Sequence, residues 1–268
     1  MPAITQNCLN TVVALGIKSP TSDNPNNIFW IGTGFMVGFK TESSEEVFLI
    51  TNKHVVHRAG VQSLVVRFNA QGEQRCNDLR LDIRNPNIQY SQHPNEIVDI
   101  IAVSVNTQLL KDTQSVYNFF DFSTDTCTLT DLNNIGMMEG STVFALGFPM
   151  NLVEYNQQSP ICRMGCISRI SNCYRQINPT SFLIDAQTFP GNSGGPVVTQ
   201  EADFSSNNMA KLIGIVCAYI PYREILYSRQ TECERSIMEE NSGLTVVQPV
   251  DRIREVVDIE RNRIKLMQ

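Results

Sequence analysis

The chain has 268 residues, of which 42% are apolar and 18% charged, and its 21 basic and 27 acidic side chains leave a net charge of −6. That balance excludes an intrinsically disordered chain and a coiled coil. It also leaves no basic surface to recommend nucleic acid as a partner.

Short apolar runs punctuated by Gly, Pro, Asn and Ser recur at strand length along the chain. In the first half they fall at 11–18 (TVVALGIK), 32–39 (GTGFMVGF), 47–51 (VFLIT), 64–68 (LVVRF), 79–84 (LRLDIR) and 100–105 (IIAVSV). A polar, Asn- and Thr-rich crossover near 106–140 follows, with a helical turn or two at 109–120. The pattern resumes at 142–147 (TVFALG), 165–170 (GCISRI), 182–185 (FLID), 196–199 (PVVT), 211–217 (KLIGIVC) and 243–248 (GLTVVQ). Apolar residues at helical spacing occur in the C-terminal stretch, at Val250, Ile253, Val257 and Ile264. Twelve strands in two groups of six, then one helix, predict an all-β protein of two small barrels or sandwiches, divided as 1–120 and 121–268. Segments 19–27, 200–208 and 221–242 read as surface loops, the last charged and holding a short helix.

Chemistry concentrates at Pro190-Gly191-Asn192-Ser193-Gly194-Gly195-Pro196, set between two strand-like runs. A serine hydroxyl becomes a nucleophile when a base takes its proton and backbone N–H groups stabilise the oxyanion. Glycines on both sides of Ser193 let the backbone turn tightly, and the N–H groups of Gly191 and Ser193 are the natural donors. Three histidines are available as the base. His54 directly follows a strand, in LITNKHVV, where a side chain can face a cleft; His57 lies beyond two valines, and His93 in a polar stretch before Pro94. A carboxylate must then orient the imidazole. Asp99 opens the strand DIIAVSV, whereas Asp82 sits inside LRLDIR as a solvent-facing strand position. Chain order separates the fold classes. An α/β-hydrolase needs its histidine after the serine, and none follows His93. A subtilisin order would need Asp23 and an α/β pattern. His54, Asp99, Ser193 is the chymotrypsin order.

These segments resemble the trypsin-like (chymotrypsin-fold) serine proteases, nearest in pattern to the bacterial high-temperature-requirement and glutamyl-endopeptidase types. GTGFMVG with LITNKHVV is similar to the family's histidine region, VDIIAVSV to its acid motif and FPGNSGGPVV to its serine motif. The spacings of 45 residues from His54 to Asp99 and 94 from Asp99 to Ser193 also match. The resemblance spans about residues 12–258 and implies two six-stranded antiparallel barrels with a triad in the cleft between them. It implies His54 as general base and acid, Asp99 as its orienter, Ser193 as nucleophile, and Gly191 and Ser193 as the oxyanion hole. It also places Gln187 at the floor of the substrate pocket and Cys217, Ala218 and Tyr219 along its wall. A floor without a carboxylate, and a tyrosine near the entrance, predict uncharged, small or medium side chains before the scissile bond. Asn192 replaces the aspartate that zymogen-type members pair with a new N-terminus, so that activation switch is not expected. A PDZ-like segment after the protease region is not expected.

The reading is therefore a serine endopeptidase acting on protein or peptide substrates, with no metal or other cofactor. The 221–242 segment, or a regulatory protein partner, is expected to restrain it, the segment as a lid or partner-sensing element. The alternative is a catalytically silent binding module on the same scaffold. A viral processing protease is a third reading, and predicts cleavage sites in a surrounding polyprotein. The eight cysteines include no C-x-x-C pair and are too sparse for a disulfide scaffold. They read mostly as small core residues, Cys162, Cys166 and Cys173 included, in place of a metal site. No apolar run approaches the roughly 18 residues of a membrane span, and residues 1–20 lack the regions of a signal peptide. A reduced, cytoplasmic location without membrane attachment is the expectation.

Overall fold

Alternation along the strands explains how one sequence builds two sheets and a shared core. Successive strand side chains point to opposite faces. On the first strand, Val13 and Leu15 enter the interior of the N-terminal sheet, while Val12 and Ala14 face the second half of the molecule. Later in the chain, Val143 and Ala145 fill the C-terminal barrel, and Phe144 and Leu146 join the shared core. Both faces of such strands are buried, which is why they read as nearly continuous apolar runs.

The computed structural model describes residues 4–18, 28–42, 44–57, 63–72, 75–83, 90–199 and 210–266. The loops expected at 19–27 and 200–208 lie outside the described residues. After the short helix α1 (Gln6–Leu9) come β1 (Val12–Lys18), β2 (Ile28–Lys40), β3 (Glu45–Thr51), α2 (Lys53–Val56), β4 (Leu64–Ala70), β5 (Cys76–Leu81), β6 (Ser91–Gln92) and β7 (Ile101–Ser104). The crossover holds α3 (Thr107–Asp112), β8 (Ser115–Val116), β9 (Phe120–Asp121) and α4 (Leu129–Asn134). These strands form one sheet in the order β5-β4-β1-β2-β3-β7-β6, with β8 on β4 and β9 on β2. Among the described residues no ladder joins β5 to β6, so the expected six-stranded N-terminal barrel is here a nine-stranded sheet whose ends do not pair. Its extra members, β6, β8 and β9, are two-residue strands too short to leave an apolar run in the sequence.

The second half closes. Strands β10 (Thr142–Gly147), β11 (Ile161–Arg169), β12 (Phe182–Asp185), β13 (Pro196–Thr199), β14 (Leu212–Tyr227) and β15 (Glu234–Pro249) form a six-stranded antiparallel barrel in the order β10-β11-β12-β15-β14-β13. The C-terminal α5 (Val250–Lys265) then buries Val250, Ile253, Val256 and Val257 against the shared core, buries Arg252 and Glu260 as well, and exposes Arg254, Asp258 and Lys265. Asp251 in its first turn and Arg263 and Lys265 in its last suit the helix dipole.

Segment 221–242 departs from expectation. It is no loop and holds no helix: β14 and β15 run on past the barrel as a hairpin, paired from Pro221↔Asn241 to Tyr227↔Glu234. The β-formers Tyr222, Ile225, Leu226, Tyr227 and Ile237 explain the strands, and the interspersed Arg and Glu had obscured the alternation. The cysteines also correct the core reading, since only Cys8, Cys173 and Cys217 are buried and Cys162 and Cys233 are exposed.

Candidate active site

His54 sits in the first turn of α2, immediately after β3 ends and Asn52 caps the helix with extended backbone. Asp99 lies just before β7, the strand that pairs antiparallel with β3. This pairing brings two residues 45 apart in sequence to the same sheet end. His54 Nδ1 is 2.5 Å from Asp99 Oδ2, and the His54 backbone N–H donates to Asp99 Oδ1 at 3.1 Å. One carboxylate thus holds both the ring and the main chain of the histidine. The side chains are 49% and 25% exposed, so the pair stands at the surface of a cleft and not in the core.

The Asp99 backbone is clamped from both halves. Asn52 Nδ2 donates to Asp99 O at 2.8 Å, and the Lys53 N–H adds a bond of 3.3 Å to the same oxygen. From β15, Gln248 Oε1 accepts the Asp99 N–H at 2.9 Å while its Nε2 donates to Ile97 O at 2.8 Å. Asn52 Nδ2 also lies 3.3 Å from the sulfur of Cys217 on β14. Burial and the nearby Asp99 charge push the Cys217 thiol far above its usual range, so it stands as a neutral S–H.

The serine turn is held by the opposite sheet. Thr33 of β2 donates its backbone N–H to Ser193 O at 2.9 Å and its hydroxyl to Gly191 O at 2.6 Å, and its Oγ1 accepts the Phe148 N–H at 3.0 Å. Thr51 Oγ1 donates to Thr33 O at 2.8 Å behind it. Gly194, at φ +86°, leaves no room for a side chain, since a Cβ there would lie 2.1 Å from Thr33 O. Gly191 is at φ +99°, and a Cβ on it would meet Phe148 O at 2.3 Å. Within the turn, the Asn192 N–H donates to Phe189 O at 2.9 Å, and Asn192 Oδ1 accepts the Phe189 N–H at 3.1 Å. The Met150 N–H donates to Pro190 O at 2.7 Å. In a planar trans peptide this carbonyl and the Gly191 N–H point in opposite directions, so the bond to Met150 turns the Gly191 N–H away from Met150.

His54, Gly191 and Ser193 line one cavity of about 270 Å³. Cys217, Ala218 and Tyr219 form its β14 wall, and Thr188 and Phe189 also line it. Gln187 is exposed, at φ +48°, and does not line this cavity. Its neighbour Thr188 takes the inward place, with its hydroxyl bonded to that of Thr245 at 2.7 Å. Sequence alternation alone left Thr188 unnoticed, although the residue beside an outward-facing one is the natural inward candidate. Two other residues missed at that level, Thr33 and Gln248, sit in strands, and only tertiary pairing shows what they hold.

The remaining candidates lie elsewhere. His57 Nε2 is 3.0 Å from Tyr90 Oη. His93 is buried, with Nε2 2.7 Å from Glu255 Oε2 on α5 and Nδ1 accepting the Asn95 N–H. Asp82 follows β5, at the far edge of the sheet from β7 and β6.

A histidine–carboxylate pair on one sheet, facing a glycine-bounded serine turn on a closed antiparallel barrel, defines the class of trypsin-like serine peptidases. The family model for the trypsin-like peptidase domain matches residues 32–204, well over half of the chain, and the chain belongs to that family. Among solved structures it is similar to the HtrA-type protease AlgW with a tripeptide, at TM-score 0.52 and 17% identity over 98% of this chain and 63% of that one. The same protease with a decapeptide gives TM-score 0.51 and 17% identity over 97% and 66%. A variant of it with a tripeptide gives 0.51 and 18% over 94% and 60%. At these identities the likeness is one of fold, and the chain spans only 60% of the length of the last of them. No curated protein sequence matches the chain.

Proposed function

We propose that the protein is a serine endopeptidase that hydrolyses peptide bonds through an acyl-enzyme on Ser193. Ser193 Oγ attacks the scissile carbonyl carbon while His54 Nε2 takes the hydroxyl proton, and Asp99 holds the ring through Nδ1 and stabilises its charged form. The N–H groups of Gly191 and Ser193 stabilise the oxyanion. Collapse expels the amine, which receives the proton from His54, and water then hydrolyses the ester by the same relay in reverse.

The observation that carries this reading is the His54–Asp99 contact of 2.5 Å beside a cavity that His54 shares with Ser193. Among the described residues the cavity lining carries no Lys, Arg, Asp or Glu, and its Cys217 thiol is held neutral. That chemistry supports preference for uncharged, small or medium side chains before the scissile bond, and a peptide library cleaved strictly after Arg or Lys would overturn it.

A fluorophosphonate probe tests the mechanism. The expected result is labelling of Ser193 in the folded protein, lost in Ser193→Ala and slowed by several orders of magnitude in His54→Ala. A folded protein that neither takes the probe nor cleaves unfolded casein would establish the silent binding module instead.

A further inference from the structure

The segment between β6 and β7 delivers Asp99 to the cleft, and little packing fixes it. Residues 94–97 are exposed, whereas His93 and Val98 at either end are buried. A stretch with so few buried contacts takes its shape from hydrogen bonds. Asn95 O accepts the Val98 N–H at 3.1 Å, closing a four-residue turn, and Asn95 Oδ1 accepts the Ile97 N–H at 3.0 Å. Asp99 follows at once, with its carboxylate on the ring and main chain of His54.

His93 anchors the start of this turn, and no step of the proposed reaction uses it. Pro94 has no N–H, so Asn95 offers the first main-chain donor after His93. His93 Nδ1 accepts that N–H at 3.0 Å, which leaves the proton of the neutral ring on Nε2. The Nε2–H meets Glu255 Oε2 of α5 at 2.7 Å. Glu255 is fixed in turn, since its Oε1 accepts Arg252 Nη1 at 2.8 Å and Arg252 is buried. The main chain of His93 is held as well. Its N–H donates to Ile100 O at 3.3 Å, and its carbonyl oxygen accepts Lys53 Nζ at 2.8 Å. Lys53 Nζ also reaches Asn95 O at 3.3 Å, and Lys53 is the residue before His54. Two approaches to the His54–Asp99 pair, one through the turn and one through Lys53, therefore meet at His93.

We propose that His93 is a positioning residue for catalysis. Its neutral ring, held by Glu255, sets the Asn95–Val98 turn and, with Lys53, brings Asp99 onto both Nδ1 and the main-chain N–H of His54. This rests on the peptidase reading above and adds to it a side chain outside the cleft. His93 does not line the cavity shared by His54 and Ser193, so its loss acts on turnover and not on substrate binding. A phenylalanine in its place fills the space but leaves the Asn95 N–H without its acceptor and Glu255 without its donor.

The test uses two readouts on the full chain. One is kcat and KM on a peptide taken from a digest of unfolded casein, per site titrated with a fluorophosphonate. The other is the downfield proton resonance of His54 Nδ1–H, identified by its absence from His54→Ala. His93→Phe is expected to lower kcat about 10- to 100-fold, with KM changed less than about twofold, and to shift or broaden the resonance. Glu255→Ala, a partly exposed position on α5, is expected to lower kcat about tenfold in the same way. Glu255→Gln keeps an acceptor for the His93 Nε2–H and recovers most of that loss. Wild-type kcat per titrated site with an unmoved resonance, in folded His93→Phe or in Glu255→Ala, overturns the proposal and leaves His93 a purely structural group. Equal losses in Glu255→Ala and Glu255→Gln overturn it too, and the two Glu255 variants decide alone if His93→Phe does not fold. A wild-type protein that cuts neither peptide nor casein is a different result. The peptidase reading then fails, while the resonance still reports whether His93 sets the His54–Asp99 pair.

Discussion

At the residue scale, the site is governed by polar side chains that fix backbone positions. Asp99 accepts from both the ring and the main chain of His54, so Asp99→Asn replaces an acceptor with a donor facing Nδ1 and favours the wrong tautomer. Turnover in the proposed triad is expected to fall about 10⁴-fold with substrate binding little changed, measured by kcat and KM on one peptide. Gln248 acts one step further out. It is buried and satisfies Asp99 N–H and Ile97 O together, so Gln248→Leu leaves a donor and an acceptor without partners. We expect a loss of about 1–3 kcal/mol in urea unfolding, and slower fluorophosphonate labelling of the fraction that remains folded. Unchanged labelling would show that Asp99 is held without it. The serine motif was legible in the residues because its chemistry demands glycines and a hydroxyl at fixed spacing. Gln248 was not, because nothing local marks a glutamine in a strand as a clamp on a loop 149 residues away.

At the element scale, turns and hairpins depend on side chains that replace missing backbone partners. Glu139 precedes β10 and ties it to the end of β11. One oxygen accepts the Ile170 and Ser171 N–H groups at 2.8 and 2.9 Å, and the other accepts the Ser171 hydroxyl. The Ser171 hydroxyl, followed by the two N–H groups, holds its carboxyl down at about 2, against 4.5 ordinarily. A depressed carboxylate stabilises the fold above its unfolded value and loses that contribution as pH falls through its folded one. Glu139→Gln is therefore expected to lower Tm at neutral pH, with the gap to wild type closing between pH 4.5 and 2, read by thermal melts. The 221–242 hairpin shows the opposite limit of sequence reading. Strand formers mixed with charges look like a loop when no face is buried, because alternation is visible only where one face is apolar.

At the scale of the whole molecule, α5 binds the two halves together through buried charge. Glu260 is fully buried, accepts the Ser91 hydroxyl at 2.7 Å and pairs with Arg263 at 2.6 Å. His93 and Glu255 make a second link from the same helix to the segment leading into Asp99. Removing Glu260 leaves the buried Ser91 hydroxyl without its acceptor, while Arg263, 23% exposed, still reaches water. Glu260→Ala is expected to cost about 1–3 kcal/mol in urea unfolding and to lower the yield of probe-reactive protein. Much of the fold was legible. Strands 142–147, 182–185 and 196–199 stand where the apolar runs place them, and α5 starts at Val250, the first of the apolar residues at helical spacing. The two-residue strands were invisible, since pairing and not composition defines them.

The sequence by itself determined the all-β character, the terminal helix, the serine turn and the order in which histidine, aspartate and serine appear, because strand alternation, helical spacing and turn chemistry are local properties of the chain. Tertiary structure alone decided that only the second sheet closes among the described residues, that Thr33 and Gln248 reach across to hold the other half's turn and loop, that Gln187 yields its inward place to Thr188, and that a charged stretch becomes a projecting hairpin. Each of these depends on which backbone edges and buried polar groups meet across long sequence separations, and no local pattern encodes that meeting.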